Sequence, residues 1–158
     1  MKFRRGAPTS WRSCPDVKGR AVGVDFGTKR VGLSVTDPLW LFAQPLGTFT
    51  PNNAIVQLRA LQGESGIDVF VVGWPLLEDG SSGDAVKRVA EYIRRLRKVA
   101  PQAEVVRWDE RYTTHRAKEM IKLSGNPSLR KSGRGRIDTA AAGLILQEYL
   151  DEQEGQDR

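Results

Sequence analysis

The tightest constraint on the fold is Val69-Phe70-Val71-Val72, an unbroken apolar run closed by Gly73-Trp74-Pro75. A strand that alternates apolar and polar residues can leave one face in water, whereas a strand apolar at every position must be covered on both. A central strand of that kind calls for helices on either side of its sheet.

The rest of the chain supplies the matching parts. Ala21-Val22-Gly23-Val24 and Val31-Gly32-Leu33-Ser34-Val35 read as strands, joined at hairpin spacing by Phe26-Gly27-Thr28-Lys29-Arg30. Leu46 to Thr50 reads as a marginal third strand. Pro51-Asn52 opens a helix through Ile55, Leu58 and Leu61, closed by Gly63. Val86, Val89, Ala90, Ile93 and Leu96 fall at helical spacing, with Lys87, Glu91, Arg94, Arg95 and Lys98 on the opposite face. Glu104 to Trp108 reads as a further strand. Thr113 or Thr114 caps a helix through Ala117, Met120 and Ile121, which Gly125-Asn126-Pro127 stops. A basic glycine-containing loop, Arg130 to Arg136, precedes a last helix that starts near Asp138 and is apolar almost all round from Thr139 to Leu146. The fold class these parts predict is α/β: a mixed central sheet opened by an antiparallel hairpin, with helices on both faces. Residues 20–150 form the one domain, 1–19 a flexible basic arm, and 151–158 a polar tail.

Composition narrows the function. The 158 residues, 39% of them hydrophobic, suffice for one core, and no stretch approaches the ~18 apolar residues of a membrane span. The 25 Lys+Arg against 19 Asp+Glu leave a net charge of +6, which favours an anionic partner, nucleic acid before membrane. A single cysteine, Cys14, and no secretory signal point to a reducing, cytoplasmic setting. With one cysteine and one histidine, His115, a Cys/His zinc site within the chain is excluded. An intrinsic metal would need oxygen ligands, the preference of Mg²⁺ and Mn²⁺. No G-x-S-x-G elbow presents a nucleophilic serine.

Three carboxylates stand at places where α/β sheets build sites: Asp25 at the end of the first strand, Glu110 after the strand ending at Trp108, and Asp138 at the start of the last helix. Each also has a local reading. Asp25 can form a turn before Gly27. Asp138 can cap its helix, and Glu110 can pair with Arg111. Strand alternation sends Asp109 and Glu110 to opposite faces, so only one of them can join a shared site.

Taken together, Asp25-Phe26-Gly27-Thr28-Lys29-Arg30-Val31-Gly32, Val71-Val72-Gly73-Trp74-Pro75, Asp109-Glu110-Arg111-Tyr112-Thr113-Thr114 and Arg136-Ile137-Asp138-Thr139-Ala140-Ala141-Ala142 closely resemble the YqgF (RuvX) family, in order, over residues 20 to 150. That family is described as Holliday junction resolvases and as nucleases maturing the 5′ end of pre-16S ribosomal RNA. The resemblance implies an RNase H-like fold, with the catalytic, metal-binding carboxylates at Asp25, Glu110 and Asp138. Mg²⁺ or Mn²⁺ would be the cofactor. Lys29, Arg30, Arg111, Lys131, Arg134 and Arg136 become candidate contacts to nucleic-acid phosphates. It implies a structured RNA substrate in a ribosome-assembly context, or branched DNA cut by a dimer, and leaves monomer or homodimer open. The chain departs from the pattern in three places. Ala141 stands where RuvC-type resolvases carry another carboxylate, Gly73-Trp74-Pro75-Leu76-Leu77-Glu78-Asp79-Gly80 stands where the family's Gly-Leu-Pro segment commonly continues with an asparagine-containing turn, and Arg136 replaces an expected lysine.

Two other classes compete. Asp25-Phe26-Gly27-Thr28 also looks like the phosphate-binding hairpin of sugar kinases and actin-like ATPases, but this chain supplies one lobe where those close two, and it has no Walker A motif. A catalytically silent nucleic-acid-binding module would need only the basic surfaces and aromatic stacking.

Overall fold

The computed structural model describes residues 18–75, 83–109 and 133–156, with side chains in the last helix from residue 140 to 155. Strands β1 (Arg20–Phe26), β2 (Val31–Thr36) and β3 (Ala43–Phe49) are followed by helix α1 (Pro51–Glu64), strand β4 (Ile67–Trp74), helix α2 (Asp84–Val99), strand β5 (Glu104–Asp109) and helix α3 (Gly133–Gln156). The strands form one sheet in the order β3-β2-β1-β4-β5. β1–β2 and β2–β3 are antiparallel, while β1–β4 and β4–β5 are parallel. This is the mixed sheet opened by a hairpin that the sequence predicts.

β4 is an interior strand, between β1 and β5, and its alternating residues enter two cores. Phe70 and Val72 join Val22, Val24, Leu58, Ile93 and Leu96 under α1 and α2. Val69 and Val71 join Ala21, Ile145, Leu146 and Tyr149 under α3. Tyr92 is the polar exception in the first core. Its ring stacks on Phe26 at 4.5 Å and its hydroxyl donates to the Pro51 carbonyl at 2.9 Å. Burial pushes that hydroxyl up to about 12, so it remains a donor.

Four boundaries differ from the sequence reading. β3 begins at Ala43, because Pro45 and Gly47 disguise it. Pro45 is tolerated on an edge strand, and Gly47, at φ +140°, follows a register shift opposite Leu33 and Ser34. α1 runs past Gly63 to Glu64, and the left-handed residue that ends it is Gly66, at φ +75°. α3 starts at Gly133, so Arg134 and Arg136 lie in its opening turns and not in a loop. Two glycines cost a helix only ~1 kcal/mol each, which the burial of residues further along the same helix outweighs. α3 also continues through 151–156, where a polar tail was predicted. The predicted helix from Thr113 or Thr114 and the arm 1–17 lie outside the described residues. Among the described residues no helix is long and apolar enough to cross a membrane.

Candidate active site

β1 lies between an antiparallel and a parallel neighbour, and its carboxyl end meets those of β4 and β5 along one edge of the sheet. Alternation along β1 sorts its residues: Val22 and Val24 enter the core under α1 and α2, and Ala21 the core under α3. Gly23 also faces α3, for a Cβ there would lie 2.5 Å from the Ala142 carbonyl oxygen and 2.9 Å from Leu146 Cβ. Two residues on, Asp25 takes the same face at the sheet edge, half-buried and paired in register with Gly32.

The turn beyond Asp25 is tight. The Gly27 N–H donates to the Arg30 carbonyl at 2.8 Å, and a Cβ on Gly27 would sit 2.8 Å from that same oxygen, so the position admits no side chain without movement. The turn presents Lys29, exposed, and Arg30, half-buried, beside Asp25.

Two contacts fix the direction of α3 across the sheet. The Ser34 hydroxyl, buried opposite Gly23, donates to the Ala142 carbonyl at 2.7 Å. The Ala43 N–H, opposite Thr36 at the other end of β2, donates to Gln147 Oε1 at 3.0 Å. Higher-numbered residues of α3 therefore lie toward the start of β1, and its earlier turns run toward the end of β1 that carries Asp25. Asp138 is in α3, one turn before Ala142, and so is not the cap of a helix that begins at Gly133. Ala141, where a further carboxylate is found in RuvC-type proteins, is buried.

On β5 the faces separate the two neighbouring acids. Val106 and Trp108 pack against the α3 core, and the Trp108 indole donates to Glu148 Oε2 at 2.9 Å. Val105 packs in the opposite core, so exposed Asp109 stands on the face away from Asp25. Glu110, Arg111 and Lys131 lie outside the described residues, and for Arg134, Arg136 and Asp138 the helix position alone is described. Among the described residues, no three His, Cys, Asp or Glu side chains group to hold a metal ion. Asp25 is the one predicted ligand whose side chain is described, and its oxygens suit a hard cation.

Sequence reasoning missed Ser34 and Gly23, which set how close α3 lies to the sheet. A serine within Val31-Gly32-Leu33-Ser34-Val35 was the available signal, since a hydroxyl inside an apolar strand must find a partner.

A family model described as RuvX, Holliday junction resolvase, matches residues 19–152. The chain belongs to this family. A Salinibacter ruber protein named "Putative pre-16S rRNA nuclease" is 47% identical over 84% of this chain and 93% of its own length. A Chlorobium luteolum protein of the same name is 40% identical over 87% and 98%. Among solved structures, Thermus thermophilus RuvC in complex with a Holliday junction substrate superposes with a TM-score of 0.56 at 13% identity, covering 86% of this chain and 96% of that one. At that identity the likeness shows the fold, which is the RNase H-like fold the RuvX family resemblance implies.

Proposed function

We propose that the chain is a divalent-metal-dependent nuclease that hydrolyses phosphodiester bonds of structured RNA, in 5′ maturation of pre-16S rRNA. The observation that carries this is the geometry at the end of β1. From Gly23 to Asp25 a strand advances ~6.6 Å, and from Ala142 back to Asp138 a helix advances ~6 Å. Because Gly23 and Ala142 are in close approach and α3 runs back along β1, the two steps carry Asp25 and Asp138 toward the same end of the sheet. Asp109 faces away from Asp25, so of the two neighbouring acids Glu110 is the one we assign to the site. The names of the relatives supply the substrate.

In this reading Asp25, Glu110 and Asp138 hold Mg²⁺ or Mn²⁺, which when bound would lower the pKa of a water and offset charge on the leaving oxygen. Lys29 and Arg30 hold the phosphate backbone over Asp25, and Gly27 keeps their turn close to the strand end. Arg111, Lys131, Arg134 and Arg136 extend that positive track, the last two in the opening turns of α3, where free N–H groups favour anions. Residues 20–150 act as the nuclease domain and 1–19 as a basic arm, in a cytoplasmic, ribosome-assembly setting.

Cleavage assays with Mn²⁺ or Mg²⁺ on pre-16S rRNA, single-stranded RNA and a four-way DNA junction test the reading. Wild type cuts the pre-rRNA best, and Asp25→Asn or Asp138→Asn lowers the rate at least ~100-fold while calorimetry shows weakened metal binding. The family description favours a second substrate, the DNA junction, and preferential symmetric cutting of it by a stable dimer would select that reading. Equal inertness of wild type and variants, with equal RNA binding, would leave a binding module.

A further inference from the structure

Among the described residues five large hydrophobic side chains are exposed, and three of them, Leu39, Leu41 and Phe42, sit in the one connection between β2 and β3. Leu39 is 76% exposed and Phe42 64%. A loose connection could fold such residues away, but this one is held. The Asp37 carboxylate accepts the N–H bonds of Leu39, Leu41 and Phe42. Trp40 takes φ +60°, a left-handed conformation that a bulky residue keeps only where its surroundings fix it. Its ring packs on the α3 core, and its indole donates to the Gly19 carbonyl at 2.8 Å. The loop is thus ordered with three apolar side chains toward water, the mark of a contact surface.

α3 adds charge beside it. The bond from the Ala43 N–H to Gln147 brings the helix to the end of the loop. Asp151, one turn on, accepts from Gln147 Nε2 at 3.0 Å, and Glu154 follows on the same side of the helix. Both acids are exposed, and no Lys or Arg occurs from residue 140 to 156. An apolar and acidic surface disfavours nucleic acid and suits a segment that is apolar and basic.

Residues 1–17 of this chain have that chemistry, with Phe3 and Trp11 among Lys2, Arg4, Arg5 and Arg12, against the single acid Asp16. They join the described residues at the loop itself: Lys18 Nζ lies over the Trp40 ring, 5.4 Å from its centroid, and Gly19 accepts the Trp40 indole N–H. We propose that residues 1–17 dock back on this surface, with Phe3 and Trp11 against Leu39, Leu41 and Phe42 and the arginines beside Asp151 and Glu154. A segment tethered at the rim of its own site has an effective concentration on the order of millimolar, so weak contacts suffice to fill it. This end of β1 lies about 17 Å from Asp25. The docked segment therefore leaves the proposed cleavage edge open, and the contact stands or falls apart from the nuclease reading.

A spin label on the full chain tests the docking, carried by Ala7→Cys with Cys14→Ser so that one thiol is present. In an isotope-labelled sample the amide signals of Leu41, Phe42, Asp151 and Glu154 are lost to relaxation by the label, while those of Thr28 and Lys29, beyond the far end of β1, persist. Adding Phe42→Ser, or Asp151→Lys together with Glu154→Lys, brings the lost signals back. All three residues are exposed, so the melting temperature stays in place. Signals that never fade, or a loss that survives both sets of substitutions, overturn the docking. So does a loss that appears only between differently labelled copies of the chain, which makes a second copy the occupant. A loss at Thr28 and Lys29 instead puts the segment at the nucleic-acid edge and overturns it as well.

Discussion

Under α1 and α2 the sheet turns Val22, Val24, Phe70 and Val72 toward Ile55, Leu58, Ile93 and Leu96, all buried and apolar. Under α3 it turns Ala21 and Gly23 on β1 toward Ala142 and Leu146, and the closest contacts there are a hydroxyl on a carbonyl and a helix backbone against a glycine. Bulk on the first face supplies hydrophobic stabilisation and holds the helices at ordinary packing distance. Small residues on the second let α3 come down onto β1. That close approach matters to the proposed site, whose Asp25 and Asp138 lie on these two elements: in that proposal the first face serves stability and the second sets distances between the ligands.

The comparison can be broken at its heaviest residue. Phe70 is fully buried on the first face, and Phe70→Ala should destabilise the fold by ~3–5 kcal/mol in urea unfolding. Single-turnover cleavage by the protein that remains folded should stay near wild type. Gly23→Ala on the second face should cost ~1–3 kcal/mol, because the added methyl meets the Ala142 carbonyl at 2.5 Å as well as Ser34 Oγ. Here cleavage by the folded fraction should fall at least tenfold, since α3 must shift to make room. If Gly23→Ala cleaves like wild type while Phe70→Ala does not, the division of labour between the faces is wrong.

How far the sequence showed this arrangement depends on what each residue reports locally. Val69-Phe70-Val71-Val72 announced a doubly covered strand, and the 3.6-residue spacing of Val89, Ile93 and Leu96 announced α2, because burial leaves a periodic trace. β3 left little trace, since an edge strand tolerates Pro45 and Gly47. The start of α3 was hidden for a related reason: Gly133 and Gly135 read as loop, and only tertiary packing further along the helix decides otherwise. Asp25 was legible as the polar end of an apolar strand beside Gly27. The choice between Asp109 and Glu110 was not, because alternation says that two neighbours differ in face without saying which face is which. Trp108 packing against Tyr149, with ring centroids 6.2 Å apart, shows that Asp109 turns away from the face of Asp25.

Smaller changes sharpen the contrast. Ser34→Ala removes the buried hydroxyl bond to Ala142 and should cost ~1 kcal/mol, with a few-fold loss of cleavage read in the same single-turnover assay. The rim of the α3 face adds a response to acid. Asp37 accepts backbone N–H bonds from Phe42 at 2.7 Å, Leu41 at 2.8 Å and Leu39 at 2.9 Å, and so holds the connection that leads into Ala43 and its bond to α3. These bonds, that from Phe42 first, hold its carboxyl below the ordinary aspartate value of 3.8. A carboxylate depressed in the folded state adds stability that is fully present above its unfolded pKa and is lost as pH falls through the folded one. Hydrogen exchange at the Leu39, Leu41 and Phe42 amides should therefore, after correction for the intrinsic rate, lose protection below about pH 4. The amides of β4 under α1 and α2 should keep theirs over the same range, and Asp37→Asn should flatten the loop's pH response. Equal loss of protection in both regions would mean that acid acts on the whole fold rather than on the rim of α3.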